Sequence, residues 1–126
     1  MRGGTSKGVF FVRADLPPAA REPGPARDAL MQRVIGSPDA YAKHTDGMGA
    51  ATSSTSKIVI LDKSRRPGCD VDYLFGQVAI EDPVVDWSGN CGNLSAAVGP
   101  FAIARSMLGA PADGRLRARA GVKRSR

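Results

Sequence analysis

The sequence predicts a small domain of mixed α/β class (α+β), and three observations support this class. Runs rich in β-branched and aromatic residues, typical of buried strands, recur along the chain. Two longer segments space their apolar residues three or four positions apart, as an amphipathic helix does. Turns that contain glycine or proline separate these segments. The length of 126 residues is that of one domain with a real hydrophobic core.

Four segments are predicted as strands because they are rich in valine, isoleucine and aromatic residues. They are residues 8–13, 57–61, 71–80 and 84–87. Prolines at Pro17 and Pro83 mark the end of the first strand and the break before the last one. Gly76 interrupts the third segment, where it indicates a β-bulge.

A first helix is predicted over residues 26–35. Pro25 stands near its first turn and Gly36 follows its end, which are the helix boundaries that these two residue types favour. Leu30 and Val34 lie four positions apart, so both are expected to face the core.

A second helix is predicted over residues 94–108. Its helically spaced apolar residues are Leu94, Val98, Phe101 and Leu108. Pro100 is expected to kink this helix, and Gly109 and Pro111 are expected to end it.

The apolar pattern ends after Ala112, which predicts a domain over residues 1–112 and a basic tail over residues 113–126. The tail holds six of the 18 basic residues and one of the 12 acidic residues, so the rest of the chain is nearly neutral. A nearly neutral body gives no electrostatic reason to bind nucleic acid or a membrane. Binding of nucleic acid or another anionic partner through the tail stays open as an alternative.

The cysteine content predicts a protein of a reducing compartment. Cys69, Cys91 and the single histidine, His44, are fewer groups than a zinc site or a disulfide framework needs, so no metal is expected. The opening residues show no signal-peptide pattern, and no apolar run approaches the roughly 20 residues of a membrane span. We therefore expect a cytoplasmic protein with reduced thiols.

A polar loop, residues 44–56, leads directly into the apolar strand that begins at Lys57. A lysine at the mouth of an apolar strand is partly desolvated, which favours the neutral amine and suits it to act as a base. The hydroxyl and N–H groups of residues 52–56 are suited to line a pocket for carboxylates. The alternative is a solvated Ser/Thr turn with a surface lysine.

A second polar loop, residues 88–93, places Cys91 just before the second predicted helix. The positive end of a helix dipole stabilises a thiolate there, and the same N–H groups suit a carboxylate. Gly92 permits close approach of a substrate. The alternative is an Asn-Gly turn in which Asn93 caps the helix and the cysteine is buried and inert.

Four ordered motifs resemble those of the PrpF family, the 2-methylaconitate cis–trans isomerases. They are residues 1–11 (MRGGTSKGVFF), residues 46–49 and 51–57 (DGMG and ATSSTSK), residues 71–78 (VDYLFGQV) and residues 86–103 (DWSGNCGNLSAAVGPFAI). The resemblance covers the chain from residue 1 to about residue 105.

The resemblance implies a fold similar to that of diaminopimelate epimerase, in which a curved sheet wraps around a central helix. Family members have two such domains with the active site in the cleft between them. This chain is then expected to be the first domain only and incomplete, with residues 94–108 as its central helix. The implied activity is proton-shifting isomerisation of an aconitate-like tricarboxylate, 2-methylaconitate or 4-oxalomesaconate, with neither a metal nor an organic cofactor. A non-catalytic remnant is the alternative.

The resemblance also implies the roles of individual residues. Lys57 is expected to abstract an allylic proton, and Cys91 is expected to be its proton partner. Carboxylate contacts are expected from Thr5, Ser6, Lys7, Ser53, Ser54, Thr55, Asn90, Gly92 and Asn93. A domain that lacks its second half exposes its cleft face, so we also expect self-association through that face.

Overall fold

A computed structural model describes residues 1–109 and 120–122 of the chain. In chain order the elements are β1 (Arg2–Gly3), β2 (Ser6–Val12), α1 (Pro25–Ile35), β3 (Lys57–Lys63), β4 (Val71–Val78), β5 (Val85–Asp86), α2 (Gly92–Ser95), α3 (Val98–Ala104) and β6 (Ala120–Val122). Two short 3-10 turns, Arg13–Asp15 and Pro18–Ala20, connect β2 to α1. Within the described residues, no helix has the length and apolar character that crossing a membrane requires.

The described strands form one sheet in the order β1-β2-β3-β4-β5. β2 and β3 run parallel, as expected for strands joined by a crossover that contains a helix. β3 and β4 form a seven-residue antiparallel ladder from Lys57↔Gln77 to Lys63↔Val71. β5 pairs with the end of β4, and β6 pairs in parallel with its beginning.

Alternation along the strands gives the sheet two apolar faces. Ile58 and Ile60 point to one face, whereas Val59 and Leu61 point to the other, and all four are buried. The first face packs against α1 through a cluster of Leu16, Met31, Ile35, Ile58, Ile60, Leu74, Val78, Val85 and Trp87. The second packs against α2 and α3 through Val59, Leu61, Val71, Tyr73, Phe75, Cys91, Leu94, Val98 and Ala102. The mixed α/β class is thereby confirmed.

Helix α1 begins one residue before its predicted start and ends where it was predicted to end. The predicted core contact of Leu30 is confirmed, since Leu30 is half-buried and packs against the core cluster, and Val34 is also half-buried. The fully buried residues are Arg27, Met31 and Ile35, which the sequence pattern did not identify. The indole of Trp87 explains the burial of Arg27. The Arg27 guanidinium lies 4.0 Å from the centre of the Trp87 ring, and the indole N–H donates to Asp28 Oδ1 at 2.8 Å, so these contacts turn the Arg27 face toward the sheet.

The predicted single helix over residues 94–108 is wrong in its length and continuity. Two short helices, α2 and α3, are separated by Ala96 and Ala97, and α3 ends at Ala104. Pro100 accounts for the break, because a proline lacks an N–H and its ring clashes with the carbonyl four residues earlier, which is that of Ala96.

The sequence pattern predicted neither of the two short strands at the ends of the chain. β1 pairs with β2 across the tight turn at Gly4 and Thr5. β6 pairs with residues 71–73 of β4 and belongs to the segment predicted as a basic tail. The remaining tail residues, 113–119 and 123–126, lie outside the described residues.

The predicted bulge at Gly76 is wrong, because Gly76 pairs regularly with Ile58. Position 76 requires glycine because the Trp87 ring packs directly against its Cα. A Cβ at this position would meet Trp87 Cζ3 at 2.7 Å.

Substitution of Gly76 by alanine is expected to lower the free energy of unfolding by about 1–3 kcal/mol, because the new methyl group overpacks the core against Trp87. Urea unfolding followed by tryptophan fluorescence measures the change. Gly109→Ala is the matched control, since no atom of the described residues beyond its chain neighbours lies within 4 Å of its Cβ position. Equal effects of the two substitutions would contradict the packing argument.

Candidate active site

The register of β2 and β3 brings Ser6 and Lys57 to the same face of the sheet. Gly8 pairs with Lys57, so Ser6, two residues earlier on β2, projects from the same side. Cys91 precedes α2, which covers this side. The Lys57 ammonium Nζ donates to Ser6 Oγ at 3.0 Å and lies 3.4 Å from Cys91 Sγ. Three side chains from three separated parts of the chain therefore meet at one point.

Cys91 is the N-cap of α2. Its Sγ accepts the Leu94 N–H at 3.5 Å, and its own N–H donates to Asn90 Oδ1 at 2.8 Å. The predicted alternative with Asn93 as the cap is therefore wrong, since Asn93 lies inside the first turn. Only 6% of Cys91 is exposed, so the thiol sits below the surface and beside Lys57.

Opposing effects set the acidity of this thiol. Burial raises the pKa of Cys91, but the Leu94 N–H, the Ser6 hydroxyl and the Lys57 ammonium stabilise the thiolate and lower it. The stabilising contacts prevail, and the pKa of Cys91 lies below its ordinary value. The site therefore places two groups that can donate and accept protons, a thiol and an amine, in direct contact.

Three residues of β4 contact the Lys57–Cys91 pair or the loop before it, and the sequence pattern predicted no role for them. The Tyr73 hydroxyl donates to the Cys91 carbonyl oxygen at 3.3 Å, and burial together with the nearby Cys91 charge raises the pKa of Tyr73 to about 12. The Phe75 ring centre lies 5.8 Å from Lys57 Nζ. Gln77 donates to the Ser53 and Ser56 carbonyl oxygens at 3.1 and 3.0 Å and so fixes the loop before Lys57. Alternation along β4 places Tyr73, Phe75 and the polar Gln77 on one face of the strand. This pattern was the sequence signal that could have identified these residues.

Amide and hydroxyl groups line the rim above the pair. Asn93 Nδ2 donates to Thr5 Oγ1 at 3.0 Å and approaches Ser6 Oγ at 3.4 Å. Gly3 packs so closely that a Cβ there would overlap the Asn93 backbone, which ties the β1–β2 turn to α2. Gly92 is exposed, and within residues 1–109 and 120–122 nothing beyond its chain neighbours lies within 4 Å of its Cβ position, so these residues leave the rim open at this point.

The other predicted contact residues lie elsewhere or are already engaged. Lys7 projects from the opposite face of β2 to Ser6, and its ammonium donates to the Met48 carbonyl oxygen at 3.0 Å. The hydroxyls of Ser54 and Thr55 bond to Thr52 Oγ1 at 3.2 and 2.7 Å, so they hold the turn together. The alternative in which Lys57 is a surface lysine is wrong, because Lys57 is half-buried.

In a Cys69→Ser chain, the Cys91 thiolate is expected to form at a pH below that of an unperturbed cysteine, because the folded pKa is lowered. A Lys57→Met substitution removes the neighbouring cation and is expected to raise the midpoint. The ultraviolet absorbance of the thiolate, followed against pH, measures both midpoints. Lys63→Met, at the other end of β3, is the control and leaves the midpoint unchanged. Identical midpoints with and without Lys57 would contradict the proposed pairing.

A family model described as PrpF protein matches residues 1–117. The chain is 74% identical over 110 residues to a 2-methyl-aconitate isomerase of Cupriavidus necator, a match that covers 87% of this chain and 28% of the relative. It is 52% identical over 113 residues to a (4E)-oxalomesaconate Delta-isomerase of Novosphingobium sp. (strain KA1), covering 90% of this chain and 30% of the relative.

Comparison at the level of structure agrees with this. A crystal structure of a methylitaconate-delta-isomerase superimposes with a TM-score of 0.84 at 44% sequence identity. The match covers 97% of this chain and 30% of that protein. The fold is therefore the curved-sheet α/β fold that the sequence resemblance implied. The chain spans less than a third of the length of the relatives it matches.

Proposed function

The chain belongs to the PrpF family, and on that premise we propose that it carries the proton-transfer residues of an isomerase that acts on aconitate-like tricarboxylates. We propose 2-methylaconitate as the first substrate to test, because a relative with 74% identity is named for it. 4-Oxalomesaconate is the second candidate, because a relative with 52% identity is named as an oxalomesaconate isomerase.

The contact between Lys57 Nζ and Cys91 Sγ at 3.4 Å is the observation that carries this proposal. An allylic isomerisation removes a proton from one carbon and returns a proton to another carbon of the same conjugated system. Transfer of a proton from the Lys57 ammonium to the Cys91 thiolate gives a neutral amine and a thiol, which are a base and an acid at one place. The substrate carboxylate delocalises the charge of the intermediate carbanion, so the protein chiefly needs to place these two groups.

In the proposed sequence of events, Lys57 takes the allylic proton and becomes an ammonium. The electron pair shifts along the conjugated system, and Cys91 then donates its proton to the far carbon. The resulting ammonium–thiolate pair returns to its starting state by transfer of a proton from nitrogen to sulfur. Ser6, within 3.0 Å of Lys57 Nζ, holds the amine in line with the thiol.

The rim residues are proposed to hold the carboxylates of the substrate. Asn93 and Thr5 already bond to each other at 3.0 Å, so a carboxylate at the rim finds an amide and a hydroxyl side by side. Gly92 leaves room for close approach of a substrate. Lys7, on the opposite face of β2, is proposed to support the 44–56 loop through Met48, whereas a direct substrate contact is assigned to Asn93.

A hybrid enzyme tests the proposal. In it, the matched residues of this chain replace the corresponding segment of the Cupriavidus necator 2-methyl-aconitate isomerase. Conversion of 2-methyl-trans-aconitate, followed by nuclear magnetic resonance, is expected to proceed in this hybrid, and 4-oxalomesaconate and 3-methylitaconate serve as comparison substrates. A correctly folded hybrid that converts none of the three would contradict the proposed function.

A further inference from the structure

The amine and thiol of Lys57 and Cys91 are also the reagents of a reaction unrelated to isomerisation. We propose that this pair is an oxidative modification site, where hydrogen peroxide converts Cys91 to a sulfenic acid and Lys57 traps it as a sulfenamide. The resulting S–N bond links β3 to the start of α2. This inference does not depend on the proposed isomerase activity, because it concerns the reactivity of two side chains in contact.

The reaction proceeds in two balanced steps. The Cys91 thiolate attacks one peroxide oxygen and the O–O bond breaks, so that sulfur is oxidised by two electrons and peroxide is reduced. The hydroxide that leaves takes a proton from the Lys57 ammonium, which gives the first water and a free amine. The Lys57 amine then attacks the sulfur, the S–N bond forms, and the S–OH bond breaks. The departing hydroxide combines with the proton released by nitrogen. In total one thiol, one amine and one peroxide give one sulfenamide and two waters.

Geometry favours trapping by Lys57 over the competing reactions. Nζ lies 3.4 Å from Sγ, and lysine side-chain rotations alone can close this gap while the backbone stays in place. The Cys91 backbone is held by the Tyr73 hydroxyl at 3.3 Å, so the sulfur stays in position. Exposure of only 6% admits peroxide but hinders a bulky thiol such as glutathione.

The second cysteine is too far away to compete by forming a disulfide. Cys69 precedes the first residue of β4, whereas Lys57 pairs with Gln77 near the other end of that strand. Six residues of strand separate Val71 from Gln77, which is about 20 Å at ~3.3 Å per residue. A disulfide within the folded chain requires Cα atoms within about 7 Å.

The experiment uses the full chain with Cys69→Ser, so that Cys91 is the single thiol. After treatment with hydrogen peroxide and removal of the excess, the intact mass is expected to fall by two hydrogens and to return to its starting value with dithiothreitol. Trypsin is expected to leave the bond after Lys57 uncut and to release a peptide joined to the one that contains Cys91. This peptide identifies the nitrogen that has reacted without any substitution at Lys57.

Matched variants complete the test. Lys57→Met in the same background is expected to lose the cross-link and to gain two oxygens, because an untrapped sulfenic acid proceeds to the sulfinic acid. Lys63→Met is expected to keep the cross-link, and unfolding in urea before oxidation is expected to abolish it. A gain of oxygen with no loss of hydrogens when Lys57 is present would overturn the proposal. Equal loss of two hydrogens in Lys57→Met would do the same, since it would show trapping by a backbone nitrogen.

Discussion

Replacement of Lys57 by alanine in the hybrid enzyme is expected to lower kcat by about 10²–10⁴-fold, the range that general acid–base catalysis contributes. Among the described lysines, Lys57 alone bonds to Ser6 and contacts Cys91, so none of the others is placed to act in its stead. KM is expected to change little, because the proposed carboxylate contacts come from the rim and not from Lys57. Steady-state kinetics with 2-methyl-trans-aconitate measures both constants.

Two further variants make this result specific to proton transfer. Lys63→Ala removes a lysine from the exposed end of the same strand and is expected to leave kcat unchanged. Cys91→Ser is expected to cost less than Lys57→Ala, because a serine hydroxyl can still relay a proton. A Lys57→Ala hybrid with near-parental kcat would show that the base has been wrongly assigned.

The 126-residue chain by itself is expected to show no detectable turnover of the same tricarboxylates. Its described residues contact the substrate from one side only, through the Lys57–Cys91 pair and the Asn93 rim. The matched relatives contain additional sequence that is more than twice the length of this chain. A tricarboxylate held from one side does not stay in a reactive pose, and such positioning is worth about 7–11 kcal/mol of barrier.

Two controls accompany the assay of the isolated chain. The hybrid, assayed in parallel, shows that the substrate and the detection are adequate, and circular dichroism with urea unfolding shows whether the isolated chain is folded. Turnover by the isolated chain that disappears with Lys57→Ala would mean that one side of the cleft suffices. In that case the positioning argument would be wrong, although the assignment of Lys57 would stand.

Much of the fold could be predicted because local patterns determine it. The strands β2, β3 and β4 are apolar runs, and α1 lies between a proline and a glycine that mark its boundaries. The burial of Arg27 could not be predicted, since it depends on contacts of Arg27 and Asp28 with Trp87, which is distant in sequence. For the same reason the pattern indicated a bulge at Gly76, where the structure has a tryptophan ring.

For the candidate active site, too, local patterns identified individual residues but not the contacts between distant parts of the chain. Loop position identified Lys57 and Cys91 as candidates, but they are 34 residues apart, and only the packing of α2 against the sheet brings their side chains to 3.4 Å. The family resemblance implied carboxylate contacts for both Ser6 and Lys7, whereas strand alternation sends them to opposite faces. Tyr73 and Gln77 lie in the 71–78 motif but were assigned no role, because a motif does not show their contacts with the Cys91 and Ser53 backbones.

Solvent deuterium incorporation tests the central claim, that Lys57 and Cys91 move a proton on the substrate, most directly. The hybrid enzyme is incubated with 2-methyl-trans-aconitate in deuterium oxide, and nuclear magnetic resonance follows both isomer formation and deuterium at the allylic carbons. We predict that deuterium enters the allylic position as the isomer forms, and that both signals are lost together in Lys57→Ala. Isomer formation at the parental rate in the Lys57→Ala hybrid, with or without deuterium in the product, would contradict the claim.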